Sequence, residues 1–205
     1  MQFRLVGNVK IDVKKMEIDM LSLSGHKIYA PKGIGALYVR EGIEFEKFLN
    51  GGHQEKNKRA GTENVAGIIG LGKASELAKQ NLEEHIKKIK KLRDYYKNEI
   101  MKRIPNTKIN GAVNARLPGN SNISFLGIKA RDLLLELDDL GICASSGSAC
   151  SSKNSTPSHV LQAIGLDENQ IKGALRVTFG DFNTKEEVDY LINNLENTIN
   201  VILKK

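Results

Sequence analysis

The segment SGHKIYAPKGIGALYVR, residues 24–40, sets a lysine directly after a histidine. It lies between VKKMEIDMLSL (13–23) and the apolar IGALYV (34–39). Most lysines are solvated surface charges whose stems cover apolar neighbours. Lys27 falls instead where a strand is predicted to end. MEIDMLSLS (16–24) alternates loosely and turns apolar, and IGALYVR reads as a buried strand beyond the loop. A lysine at a buried strand end is a candidate amine nucleophile toward carbonyls, because desolvation favours the neutral amine. Lys32, after Pro31, reads as a turn residue.

Outward from this segment, residues 41–64 are loop-like around GGHQEKNKRAGTEN (51–64). VAGIIGLGKASELAK (65–79) predicts a helix in which Gly67, Gly70 and Gly72 let neighbours approach, packing compensating for the low helix propensity of glycine. A long amphipathic helix follows over 79–103. Its apolar face is Leu82, Ile86, Ile89, Leu92, Tyr96 and Ile100, and its lysines interleave with Glu83, Glu84, Asp94 and Glu99. After Pro105 the elements shorten. TKING and NSNISFLG read as strands, and ARDLLLELDDLG as a helix closed by Gly141. ASSGSACSSKNS (144–155) is small and polar. Thr156 and Pro157 predict an N-cap and first helical residue for PSHVLQAIG. GALRVTFG is a strand, and Thr184 with Glu187 forms a capping box for a last helix with Val188, Leu191, Leu195, Ile199 and Ile202 on one face. The expected organisation is sheet strands over 1–64, connecting helices over 65–104 and a small α+β domain over 105–205. The fold class is α/β plus α+β.

The composition is ordinary for a globular protein: 205 residues, 40% hydrophobic and 27% charged. No apolar run approaches a membrane span. MQFRLVGNVK has no apolar signal core, so a cytoplasmic location is expected. The net charge of +7 raises a nucleic-acid reading. The lysines, however, gather on the amphipathic helix without a stacking platform or finger spacing, so a solvated face is expected and no nucleic-acid partner.

Two further residues carry chemistry. Cys143 and Cys150 fit neither a structural disulfide in a cytosolic chain nor, with His159, a standard zinc spacing, so no metal is expected. Cys143, between Ile142 and Ala144, reads as a small core residue. Cys150, in SSGSACSS, is either incidental or a reactive thiol on a flexible loop that can travel to an electrophile. Arg176, in the apolar strand ALRVTFG, needs an anionic partner, either a structural carboxylate or that of a ligand.

Four motifs, in order from about Val6 to the C-terminus, resemble those of the cysteine desulfurases, pyridoxal-phosphate enzymes of the class-V aminotransferase family. SGHKIYAPKGIGALYVR resembles the cofactor-lysine segment and GGHQEKNKRAGTEN the glycine-rich loop. SSGSACSS resembles the catalytic-cysteine loop of the NifS/IscS-like branch. ALRVTFGDFNTKEEVDYLI resembles the carboxylate-binding strand and the helix after it. The resemblance implies the C-terminal part of a fold-type I pyridoxal-phosphate transferase: the end of the large cofactor domain over 1–64 and the small domain over 105–205. It implies that Lys27 forms the Schiff base with pyridoxal 5'-phosphate. Ser24 and His26 would bind the cofactor phosphate, and Thr62 would reach the phosphate of a dimer partner. Arg176 would hold the carboxylate of L-cysteine. Cys150 would take the sulfur as a persulfide, leaving L-alanine, and pass it to an acceptor such as an iron–sulfur scaffold or a tRNA-thiolation enzyme.

The same resemblance implies family members about twice this length. Their N-terminal half supplies a ring-stacking histidine and an aspartate for the pyridine nitrogen. His53 and Ala60 depart from the family's glycine and serine. A non-catalytic alternative is a truncated desulfurase acting as a dimerisation, partner-docking or persulfide-relay module.

Overall fold

The computed structural model describes residues 5–147 and 158–204. The chain divides into two compact units, Met1–Glu84 and His85–Lys205.

In the first unit, β1 (Met20–Ser24) pairs antiparallel with β2 (Gly35–Val39), in a register running from Met20 opposite Val39 to Ser24 opposite Gly35. Between them a 3-10 turn, Gly25–Ile28, is followed by Tyr29 in the left-handed region at φ 65°. Space favours glycine at position 25: a Cβ there would lie 3.0 Å from the Ala30 Cβ and 3.0 Å from the Ile34 carbonyl oxygen, a tight fit. Lys32 lies in a turn, as read from the sequence. Further on, α1 (Gln54–Asn57) is a single turn, and Glu55, Lys56 and Asn57 all have positive φ, at 51°, 55° and 62°. Three consecutive non-glycine residues in that region cost conformational energy that the surroundings must offset.

The helix α2 (Val65–Gln80) is capped by Asn64, whose side chain accepts from the Gly67 N–H at 3.1 Å. A Cβ on Gly70 would come within 2.9 Å of the Pro31 ring, so this glycine does admit a neighbour. Gly72 faces open space and admits none. The core of the unit is small: Ile28, Ala30 and Ala74, with Val6, Ile34, Leu71 and Ala78 packed against them. The expectation that IGALYV is a buried strand is corrected. Gly35, Ala36 and Leu37 are exposed, Leu37 at 48%. The physical reason is that the sheet holds two strands among the described residues, too few to give β2 a second layer.

The second unit is built on an antiparallel sheet in the order β3 (Thr107–Ile109), β4 (Asn120–Phe125), β5 (Ala174–Thr178). One face carries α3 (Leu82–Arg103), α4 (Ala130–Asp139) and α7 (Lys185–Leu203), whose buried residues join Ile123, Phe125, Leu175 and Val177 in one continuous core. Ile89, Leu92, Tyr96 and Ile100 of α3 lie inside, confirming the amphipathic reading, and so does Arg93. The Arg93 guanidinium donates to Asp94 Oδ1 at 2.7 and 3.0 Å and to the Leu117 carbonyl at 3.3 Å, which is what allows a charge at that depth. Tyr96 tilts against Phe179 with ring centroids 5.7 Å apart, and burial pushes its phenol well above the usual range.

Gly141, at φ +73°, follows α4 as expected, and the Thr184–Glu187 capping box opens α7. The short helix α5 (His159–Ala163) is capped by Ser158 rather than by Thr156; Thr156 and Pro157 lie outside the described residues. A further helix, α6 (Glu168–Lys172), opened by an Asp167–Gln170 capping box, was not evident from the sequence because one and a half turns carry no periodicity to read. Among the described residues, no helix is long and apolar enough to cross a membrane.

Candidate functional site

The 3-10 turn after β1 gathers three of the candidate residues. With three residues per turn, positions i and i+3 share a side. Gly25 and Ile28 therefore face inward and are buried, and His26 and Lys27 are exposed. The expectation of a lysine buried at a strand end is thus corrected, and the turn's period is the reason. Ser24, the last residue of β1, has its Oγ 2.8 Å from the His26 Nδ1. Lys27 makes no ion pair with another described residue. The hydroxyl, imidazole and primary amine on this one turn are the groups that the sequence resemblance assigns to the phosphate and aldehyde of pyridoxal phosphate.

Thr62, in the same unit, is exposed and follows a turn at Gly61 (φ +97°). Side chains from the preceding loop fix that turn. Gln54 Oε1 accepts from the Gly61 N–H at 3.1 Å, and Arg59 donates to the Gly61 and Thr62 carbonyls at 3.0 and 3.4 Å. Asn57 Oδ1, at the end of the left-handed turn, accepts from the Lys47 ammonium at 2.9 Å and lies 3.2 Å from the His53 Nδ1. The departures from the family pattern at His53 and Ala60 are accommodated here: His53 is exposed, and Ala60 is 9% exposed with its Cβ close to Gly51.

In the second unit, Arg176 occupies the middle of β5 and is half-buried. Leu175 and Val177 face the helices, so Arg176 faces the opposite side of the sheet. Its backbone is engaged on both flanks. Asn122 of β4 stands directly opposite on one side. On the other, Ser145 donates its N–H to the Arg176 carbonyl at 3.1 Å and accepts from the Arg176 N–H at 2.6 Å. Ser145 Oγ then donates to the Gly147 carbonyl at 2.8 Å. The chain is therefore pinned beside Arg176 just before residues 148–157, which lie outside the described residues together with Cys150.

Cys143 is exposed, which corrects its reading as a core residue. Ile142 and Ala144 pack against the core, so the residue between them points outward. It lines a shallow groove with Arg131, Leu134, Leu135 and Asp138.

Sequence reading missed the polar residues on the face of the sheet that carries Arg176. Along β4, Ser121, Ile123 and Phe125 are buried among the helices, and Asn120, Asn122 and Ser124 lie on the face that carries Arg176. Asn110 Nδ2 donates to Asn122 Oδ1 at 2.6 Å and to Ser124 Oγ at 2.8 Å. The period-two run of polar residues in NSNISF is the signal that could have found them. Nearby, Arg116 donates to the Asn110 and Ala112 carbonyls. Burial, with the charge of Arg93, holds its guanidinium below the ordinary value, and Asp94 partly offsets this.

The family model for aminotransferase class-V matches residues 4–191. The cysteine desulfurase IscS of Clostridium botulinum is 50% identical over 196 residues, covering 95% of this chain and 49% of that protein. A cysteine desulfurase of Trichormus azollae is 50% identical over 187 residues, 91% of this chain and 47% of that protein. The structure of a NifS-like protein from Rickettsia africae superimposes with a TM-score of 0.86 at 33% identity, over 95% of this chain and 51% of that one. The chain thus spans about half the length of the relatives it matches, and its fold is part of a fold-type I transferase. It belongs to the class-V aminotransferase family.

Proposed function

We propose that this chain carries the cofactor-lysine and sulfur-accepting residues of a cytoplasmic, homodimeric cysteine desulfurase that converts L-cysteine to L-alanine and delivers the sulfur to an acceptor protein. In this reading residues 1–64 belong to the large cofactor domain, 65–104 connect, and 105–205 form the small domain. Ser24, His26 and, from a dimer partner, Thr62 hold the phosphate of pyridoxal phosphate, and Lys27 holds its aldehyde carbon. When bound, the cofactor supplies an electron sink at the substrate's α-carbon. Arg176 holds the substrate carboxylate by a charge-assisted pair. The Cys150 thiolate attacks the substrate sulfur. An S–S bond forms, the carbon–sulfur bond breaks, and the electron pair left on carbon takes a proton to give alanine. Cys150 comes five residues after Ser145, so chain length alone keeps its Cα within about 18 Å of the Ser145–Arg176 bridge.

The observation that carries the reading is the Ser24–His26 contact on the turn that exposes Lys27. The test is a visible absorption spectrum of the purified chain after addition of pyridoxal phosphate, with Lys27→Ala as control. The expected result is a band that the variant lacks and that borohydride fixes at Lys27. A spectrum identical to that of the variant overturns the cofactor role of this turn. A second reading is a non-catalytic persulfide relay or docking module. It is favoured by the second unit's having a complete core of its own. That reading expects no cofactor band, with Cys150 still loading sulfur from a persulfide donor.

A further inference from the structure

The polar face of the sheet opposite α3, α4 and α7 contains a directed chain of hydrogen bonds. Ser124 has one hydroxyl proton, and it is donated to the Gln170 carbonyl at 2.6 Å. Its Oγ can therefore only accept from Asn110 Nδ2, 2.8 Å away. That fixes which end of the Asn110 amide is nitrogen. The second Nδ2 proton then goes to Asn122 Oδ1 at 2.6 Å, so Asn122 has its oxygen turned toward Asn110 and its NH2 turned away.

The arrangement has a cost. Asn110 Oδ1 is buried and has no hydrogen-bond partner among the described residues. A buried orphan acceptor of this kind calls for an explanation. Register supplies one. Asn122 stands directly across the strand pair from Arg176, on the same face, and side chains in that relation have Cβ atoms about 5 Å apart. Both residues are half-buried, accessible from the side away from the core.

We propose that Asn122 is a second anion-holding donor. Its NH2 joins Arg176 in gripping the substrate carboxylate, and Asn110 is the positioning residue that turns the amide outward. This rests on the reading of Arg176 as the carboxylate-binding residue, and it adds a specificity element to it. A guanidinium alone attracts any anion, whereas a guanidinium with a neutral NH2 beside it favours a planar carboxylate that takes one donor on each oxygen.

The test is a titration of the 15N-labelled 205-residue chain with L-alanine, followed at the Arg176 Nε–H and the Asn122 side-chain NH2, with alaninamide as the probe lacking a carboxylate. Both resonances are expected to move with one apparent Kd for L-alanine and to stay in place for alaninamide. In Asn122→Asp the new carboxylate can still accept from Asn110, which preserves the fold, but it repels the ligand and weakens binding by about tenfold or more. Asn122→Ser, neutral and short, weakens binding roughly three- to tenfold. If Arg176 responds and the Asn122 NH2 does not, or if Asn122→Ser lowers thermal stability and leaves Kd unchanged, the proposal is overturned and the reading of Arg176 stands. If neither resonance responds, both are overturned for this chain.

Discussion

The two units of this chain are made from similar proportions of apolar sequence and use it differently. In the second unit, Ile89, Ile100, Ile123, Leu133, Leu137, Ile192 and Leu195 are all wholly buried in one core. In the first unit the core is Ile28, Ala30 and Ala74, and Leu37, Val65 and Ile69 are exposed at 48%, 62% and 67%. Burying a large aliphatic side chain contributes about 1.5–3 kcal/mol. The second unit therefore holds the larger share of the stability that packing supplies. Candidate chemistry sits in both units: the cofactor residues in the weakly packed one and Arg176 in the well-packed one.

The sharpest way to break this comparison is to cut into both units. Leu195→Ala removes a side chain with no exposure and is expected to cost about 2–5 kcal/mol, read as a lowered midpoint in urea denaturation. A cost below about 1 kcal/mol would mean that the core of the second unit is not the main source of stability.

A cap gives an intermediate effect. Thr184 accepts from the Glu187 N–H at 3.3 Å, and Glu187 answers by accepting from the Thr184 N–H at 3.1 Å. Thr184→Ala is expected to cost about 1 kcal/mol in the same denaturation series, which places it between core and surface. The region has a pH signature as well. Hydrogen bonds from Asn183 and from the Thr184 backbone hold the Glu187 carboxyl below its ordinary value, and Lys185, followed by Tyr95, does the same for Asp189. Carboxyls with depressed native values stabilise the fold above the usual carboxylate range, and that stability is lost as pH falls through the depressed values. Acid titration followed by α7 amide exchange should therefore show the first turn of α7 loosening at the acid end, and no loosening between pH 6 and 8.

The smallest effect is expected in the first unit. Ile69→Ala on the exposed face of α2 should change stability by no more than about 0.5 kcal/mol. A larger loss would show that this face is covered in solution. The substitution would then serve to map what covers it.

Legibility in the sequence follows the same division. Helices of several turns were readable because an apolar residue every three or four positions repeats often enough to be unmistakable, as in α3 and α7. The capping pair Thr184 and Glu187 and the terminating Gly141 were readable because the backbone demands those residue types there. The burial of β2 was misjudged, since apolar alternation shows that a strand can be covered but not that a second layer is present. The exposure of Cys143 was not legible because its neighbours are apolar on both sides, and only the packing of Ile142 and Ala144 against the core shows that the residue between them is left outside. Asn110 and Asn122 were invisible as a pair because twelve residues separate them, and strand register alone brings them together.

The bridge between Ser145 and Arg176 carries one more implication, for how such a loop can change over generations. Its two backbone hydrogen bonds depend on no particular side chain, so drift at position 145 leaves the anchor intact. Residues gained or lost between positions 147 and 158 would change the length of chain there, and the point from which it departs, at Ser145, would stay beside Arg176. Loop length and strand are thus separately adjustable, and a lineage could lengthen this segment without rebuilding the strand on which Arg176 sits.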